Sequence, residues 1–190
     1  MTAIVFVVYD GLTLLDLAGA YDPVTRLRTM GFVPDLKYEV CGQAKTARTS
    51  EGLVLIPDSI RRDLSQFDYV VIPGGNGVME LMNNPGFLSW IRVASGRTTV
   101  VAFCGGALLA GAAGMLYDRK ATTHPALLTT LRPFAKEVLA ERIVEDGNII
   151  TAGGVTSGID LGLFLCEKIA GRDVREKIRM QMDYHAYPYP

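Results

Sequence analysis

Five short runs rich in β-branched and apolar residues recur along this chain, each followed by a stretch with helical spacing. They are AIVFVVY (3–9), KYEVCG (37–42), DYVVIPGG (68–75), RTTVVAFC (97–104) and GNIITAGG (147–154). Val70-Val71-Ile72 and Val100-Val101 show no polar alternation, as expected of parallel strands covered on both faces. Segments 12–30, 78–95, 105–117, 125–138 and 157–171 place apolar residues near the helical period, and Pro23 and Pro85 mark breaks or starts inside two of them. Strand–helix alternation limits the fold to an α/β sandwich, with a mostly parallel central sheet and helices on both faces. No repeat, low-complexity tract or linker interrupts it, and 190 residues suit a single domain, 1–190, with a sizeable core.

Charge excludes several function classes. The net charge is −1, and basic residues alternate with acids, as in Arg175-Glu176-Lys177, so nothing marks a nucleic-acid or membrane partner. The opening MTAIVFVVYDG is too short to span a bilayer and lacks the basic start and cleavage site of a signal peptide, so it reads as the first strand. Cys41, Cys104 and Cys166 lie far apart without a CxxC, which fits a reducing, cytoplasmic compartment. With His124 and His185 they offer no zinc-ligand spacing, and no metal is expected.

Glycines cluster where strands end: Asp10-Gly11, Gly74-Gly75, Gly105-Gly106 and Gly153-Gly154. Ligands of open α/β sheets bind outside the carboxyl ends of the strands, where such turns offer free backbone amides; tight strand–helix turns need glycine equally. Cys104 sits where VVAF stops and GGALLAGAAG begins, a sharp turn that exposes a nucleophile at a helix N-terminus favouring thiolate. The alternative is a cysteine that merely packs; Cys166, at helical spacing, reads as core, and Cys41 as core or near a subunit contact. Asp16 is odd among Leu14, Leu15 and Leu17. It is either a buried carboxyl with a raised pKa, able to move protons, or a surface acid of a helix. His124 either approaches the thiol or ends a strand before Pro125 opens a helix. The tail DYHAYPYP reads as a cover for the pocket or a dimer seam, or as a loose terminus.

VVIPGGNG (70–77), VVAFCGGALLAGAAGML (100–116), ATTHP (121–125) and IITAGGVTSGIDLGLFLCEKIAG (149–171) together resemble the DJ-1/PfpI superfamily in order and spacing. The resemblance implies a flavodoxin-like sandwich, a homodimer, no cofactor, Cys104 as nucleophile and an acid from the first helix against its sulfur. Asp16 in LLDLAG stands where other branches carry Glu and is similar to the isocyanide hydratase branch and to amidase-like domains of some AraC-type regulators. Peptidase chemistry is not implied, since Gly105 replaces the histidine after the nucleophile, nor amidotransferase chemistry, since no late His-x-Glu pair follows. The hydratase branch commonly has Thr where this chain has Gly105.

The resemblance implies hydration of small isocyanides to N-formamides through a thioimidate on Cys104. Asp16 would handle protons, the Gly75 and Gly105 amides would hold developing negative charge, and His124 is a possible participant. The alternatives are a glutathione-independent glyoxalase, with His124 shuttling protons, and a redox or ligand sensor in which Cys104 is oxidised.

Overall fold

The computed structural model describes residues 1–92 and 97–185. The first half of the chain forms Ala3–Val8 (β1), Leu14–Thr29 (α1), Lys37–Gly42 (β2), the ribbon strands Ala47–Arg48 (β3) and Val54–Leu55 (β4), Ser59–Ile60 (β5), Tyr69–Ile72 (β6), Val78–Leu81 (α2) and Pro85–Ile91 (α3). Then follow Thr99–Phe103 (β7), Gly106–Ala112 (α4), Lys120–Ala121 (β8), Leu128–Leu131 (α5), Glu137–Val138 (β9), Ile143–Asp146 (β10), Ile149–Ala152 (β11), Ser157–Ala170 (α6) and Arg172–Gln181 (α7).

Among the described residues seven strands make the main sheet, in the order β10-β11-β7-β6-β1-β2-β5. Every pairing is parallel except β10 with β11. The most apolar runs take the middle, where both faces are covered: Ile4 to Val8, Val70 to Ile72 and Val101 to Phe103 are fully buried. Parallel pairing puts the carboxyl ends of β1, β6, β7 and β11 at one edge. The turns after them, which carry the glycine clusters, therefore meet there.

Pro23 does not break α1, contrary to the sequence reading. A proline at this position removes the N–H that would bond the carbonyl of Gly19. Helix α6 covers that stretch closely: a Cβ on Gly162 would lie 2.9 Å from the Ala20 carbonyl and 3.1 Å from that of Gly19. The buried thiol of Cys166 donates to the Pro23 carbonyl at 3.3 Å, a further contact that holds α6 against this turn of α1. Burial pushes that thiol up to about 12. The same contact seats the first turn of α1, since a Cβ on Gly158 would lie 3.2 Å from the Asp16 carbonyl.

Segment 125–138 is not the single helix its spacing suggests. Two 3₁₀ turns, Pro125–Leu127 and Arg132–Phe134, flank the four-residue α5, and β9 ends it. Pro133 lacks the N–H and disfavours helix in the residue before it. Pro85 opens α3 after Asn84, whose side chain caps the Phe87 N–H. The edge strands β5 and β10 and the helix α7 were not read from the sequence. The end of the expected 78–95 helix (93–95) and tail residues 186–190 lie outside the described residues. Among the described residues no helix is long and apolar enough to cross a membrane.

Candidate functional site

Cys104 is the residue between β7 and α4, and its φ is +50°. A side chain other than glycine in this region is strained by about 1–3 kcal/mol and persists only when its surroundings over-determine it. They do so here. The Cys104 N–H donates to the carbonyls of Ala152 (3.1 Å) and Gly153 (2.8 Å) at the end of β11. Its carbonyl accepts from the Thr123 hydroxyl at 2.6 Å and from the Ala107 N–H at 3.3 Å. Cys104 is left 8% exposed, enough for a narrow approach.

Asp16, fully buried in the first turn of α1, faces the same spot. Its Oδ2 accepts from the Gly74 N–H at 2.8 Å, whereas the buried Oδ1 has no hydrogen-bond partner. Gly74 is where the elements converge. A Cβ there would lie 2.4 Å from the Gly105 nitrogen and 2.9 Å from both Asp16 Oδ2 and the Cys104 Cβ. Tyr9, buried, donates from its hydroxyl to the Pro73 carbonyl at 2.5 Å, pinning the turn whose next amide holds Asp16. Burial and the neighbouring Asp16 and Cys104 hold this phenol well above its ordinary pKa, so it remains a donor.

Burial raises the Asp16 carboxyl to about 6, against the opposing pull of the Gly74 N–H and the thiol. Burial and the Asp16 charge push the Cys104 thiol up to about 12, although the Gly105 N–H favours the thiolate. The expected thiolate is therefore not the resting form. Desolvation and a like charge next door outweigh the amide dipoles at the turn. Between those two values the pair carries one negative charge and one proton, and the orphan Oδ1 is the available place to receive that proton. The arrangement can generate a thiolate by moving a proton a short distance onto Asp16, and return it later.

The sequence-predicted residues divide in the structure. Asp16, Cys104 and Gly105 meet. Gly75 has φ +143°, and a Cβ would lie 2.1 Å from the Gly11 carbonyl, so packing alone requires glycine there. Gly105 has ordinary helical angles (φ −61°), but a Cβ would come within 3.0 Å of Val78 Cγ2. Val78 fills the space a larger residue at 105 would take. His124 Nδ1 accepts from the Ala126 N–H at 3.2 Å, and its ring packs over Gly154, where a Cβ would meet Cδ2 at 2.6 Å. Its neighbour Thr123 is the residue of TTHP that bonds Cys104. Cys41 is core, fully buried, accepting from the Arg62 N–H at 3.4 Å. Tyr9, Gly74 and Thr123 escaped sequence reasoning, although each adjoins a motif it singled out. Glu51 also escaped it. This exposed carboxylate accepts from the Leu14 N–H at 3.1 Å, and its charge adds to the rise at Asp16. Among the described residues no group of three or more His, Cys, Asp or Glu could hold a metal ion.

Accessibility separates the three thiols, since Cys41 and Cys166 are fully buried. Limited alkylation followed by mass spectrometry is expected to label Cys104 first. Its rate should keep rising with pH well past 9, because the thiol pKa stands near 12. First labelling of either other cysteine would contradict the elbow geometry.

The DJ-1/PfpI family model matches residues 2–168. The chain is 34% identical over 185 residues to isonitrile hydratase of Pseudomonas putida, a match covering 96% of this chain and 78% of that protein. It is 27% identical over 165 residues to the Parkinson disease protein 7 homolog of Danio rerio, covering 83% and 85% of the two chains. Among solved structures, a ThiJ/PfpI family protein from Pseudomonas syringae matches with a TM-score of 0.87 at 26% identity, covering 99% of this chain and 77% of that one. The flavodoxin-like sandwich expected from the resemblance is thus the observed fold.

Proposed function

The chain belongs to the DJ-1/PfpI family, and from that membership we propose that it hydrates small organic isocyanides to N-formamides without a cofactor, using Cys104 and Asp16. The observation that carries the proposal is the buried Asp16 carboxyl, with its unpaired Oδ1, beside a strained and little-exposed thiol. The similarity to isonitrile hydratase over 96% of the chain supports this substrate class.

As the Cys104 sulfur bonds the terminal carbon of R–N≡C, the thiol proton passes to Asp16, which delivers it to that carbon. The product is the thioimidate R–N=CH–S–Cys104. Asp16, again a carboxylate, takes a proton from a water that adds to the same carbon and passes it to the nitrogen. The resulting adduct collapses: the C–S bond breaks, the carbonyl forms, and R–NH–CHO leaves as Cys104 regains its proton. The sum is one isocyanide and one water to one formamide. The Gly75 and Gly105 amides stabilise negative charge as it develops. A nucleophilic residue only 8% exposed suits a slender, nearly apolar end group. A thiol whose pKa is raised rather than lowered weakens the sensor alternative, because oxidation follows thiolate character. His124, turned to Ala126, weakens the glyoxalase alternative, which needs it at the sulfur.

The test is turnover of p-nitrophenyl isocyanide and of methylglyoxal by the purified protein. Formamide production, abolished by Cys104→Ala, is the expected result. Lactate production alone would replace this reading with the glyoxalase one.

A second copy of the chain is the proposed partner. Leu15, Leu53, Val54 and Ile56 are 44%, 55%, 50% and 82% exposed. The β3–β4 ribbon that carries or adjoins three of them is tied to the start of α1 by Ser50 N–H to Leu12 O (2.7 Å) and by Glu51. Exposed apolar residues on two segments tied together in this way fit an interface. Light scattering should give twice 20.6 kDa, and Leu53→Asp should shift the protein towards monomer. A wild-type monomer at micromolar concentration would refute the dimer.

A further inference from the structure

We infer that Thr123 is a positioning residue for the nucleophile, holding the Cys104 backbone in its left-handed conformation through a hydrogen bond from its hydroxyl to the Cys104 carbonyl. The inference rests on Cys104 being the reactive group. The hydroxyl is buried, with Thr123 only 2% exposed, and the bond is 2.6 Å long. It links residues 19 apart in sequence, from a segment that is itself fixed. The neighbouring Thr122 donates from its N–H to Thr151 Oγ1 on β11 at 2.8 Å, and from its hydroxyl to the Glu141 carbonyl at 3.0 Å. The Cys104 N–H is held from the other side by Ala152 and Gly153, also at the end of β11. Both peptide planes flanking the Cys104 Cα are therefore anchored to one strand end, which sets the direction of Cα–Cβ towards Asp16.

Helix α4 contributes one weaker restraint, the Ala107 N–H at 3.3 Å from the same carbonyl. A strained residue relaxes when a restraint is lost. Without the Thr123 hydroxyl, the φ of +50° loses its shortest tether and the sulfur moves off the carboxylate towards solvent. The thiol should then become more acidic and more easily alkylated, while losing the geometry that transfers its proton. A defect in overall stability would not produce that combination.

The experiment compares Thr123→Val, which keeps the shape without the hydroxyl, with Thr123→Ser, which keeps the hydroxyl. Iodoacetamide labelling of Cys104, followed by intact mass across pH, is read alongside thermal melting. Thr123→Val should lower the apparent thiol pKa by about one unit and speed labelling at pH 8 about tenfold, one unit being a factor of ten in thiolate. Thr123→Ser should remain within about twofold of wild type, since it keeps the donor. An unchanged pH profile in Thr123→Val, or the same shift in Thr123→Ser, would overturn the inference. If Thr123→Val does not fold, Thr123→Ala against Thr123→Ser carries the same comparison. The labelling readout needs no isocyanide: a protein that labels as expected but hydrates none upholds the positioning role and removes only the hydratase reading.

Discussion

Asp16→Asn is expected to lower the proposed hydration of isocyanides by about 100-fold or more, the scale of losing a positioned general acid–base, and to raise thermal stability at neutral pH. Both effects have one cause. The side chain is fully buried with one carboxylate oxygen unpaired, so its charge is held at a cost. Its pKa is about 6 in the folded protein against an ordinary value of 3.8. The folded state therefore binds this proton more tightly than the unfolded one. Its contribution to stability is complete below about pH 4, near the ordinary carboxylate pKa, and is lost as pH rises through 6. Above pH 6 the charged form costs on the order of 3 kcal/mol, the rise from 3.8 to about 6 converted at ~1.4 kcal/mol per pH unit. Asn keeps an oxygen for the Gly74 N–H and carries no charge, so it recovers part of that sum. Melting curves should diverge in favour of Asp16→Asn between pH 6 and 8 and converge near pH 4. A variant with normal turnover would leave Asp16 as an ordinary helix residue.

A large loss of stability is expected from Gly106→Ala, where φ is ordinary and only the close approach of backbone opposes a Cβ. A Cβ at 106 would stand 2.2 Å from the Ile72 carbonyl and 2.7 Å from that of Pro73, both backbone atoms at the end of β6. Backbone at the centre of a packed sheet cannot rotate aside as a side chain does, so α4 must lift away. Overpacking of this kind costs about 3 kcal/mol, a fall in melting temperature of roughly 10 °C for a chain of this length. Gly31→Ala is the control. Gly31 has φ +79° with nothing within 4 Å of its would-be Cβ, so only the left-handed conformation is penalised, by about 1 kcal/mol. Equal melting temperatures for the two variants would contradict the close approach of α4 to β6.

The central strands were legible because burial on both faces leaves uninterrupted apolar runs, as at Val70-Val71-Ile72. The elbow was legible because a lone cysteine separates such a run from small helix-forming residues. Edge strands leave a weaker trace. β5 is two residues long, and β10 alternates in burial as an edge strand can. Asp146-Gly147-Asn148 between IVE and IIT, with Gly147 at φ +63°, was the turn signal that would have revealed the β10–β11 hairpin. Helix α7 buries only Ile178 and is otherwise mostly charged or polar, held to α6 partly by Arg175 with Glu167 at 2.7 Å, so its periodicity was masked by charge. At Pro23 tertiary packing overrode a local rule, because α6 covers the interruption. The site followed the same division. Asp16 betrayed itself as a carboxylate among leucines, whereas Tyr9 and Thr123 act through hydroxyls on backbone carbonyls, which no spacing announces.

The central claim is that Cys104 and Asp16 form one proton-sharing unit, and thiolate titration by ultraviolet absorbance tests it most directly, in the wild type and in Asp16→Asn. The carboxylate is one of the causes that push the thiol to about 12. Removing its charge should lower the Cys104 pKa towards the ordinary value of 9.0, even as turnover falls. A thiol that ionises more readily in a slower enzyme is the predicted signature of a lost proton partner. An unchanged or raised thiol pKa in Asp16→Asn would show that the two groups do not share a proton, and would contradict the account.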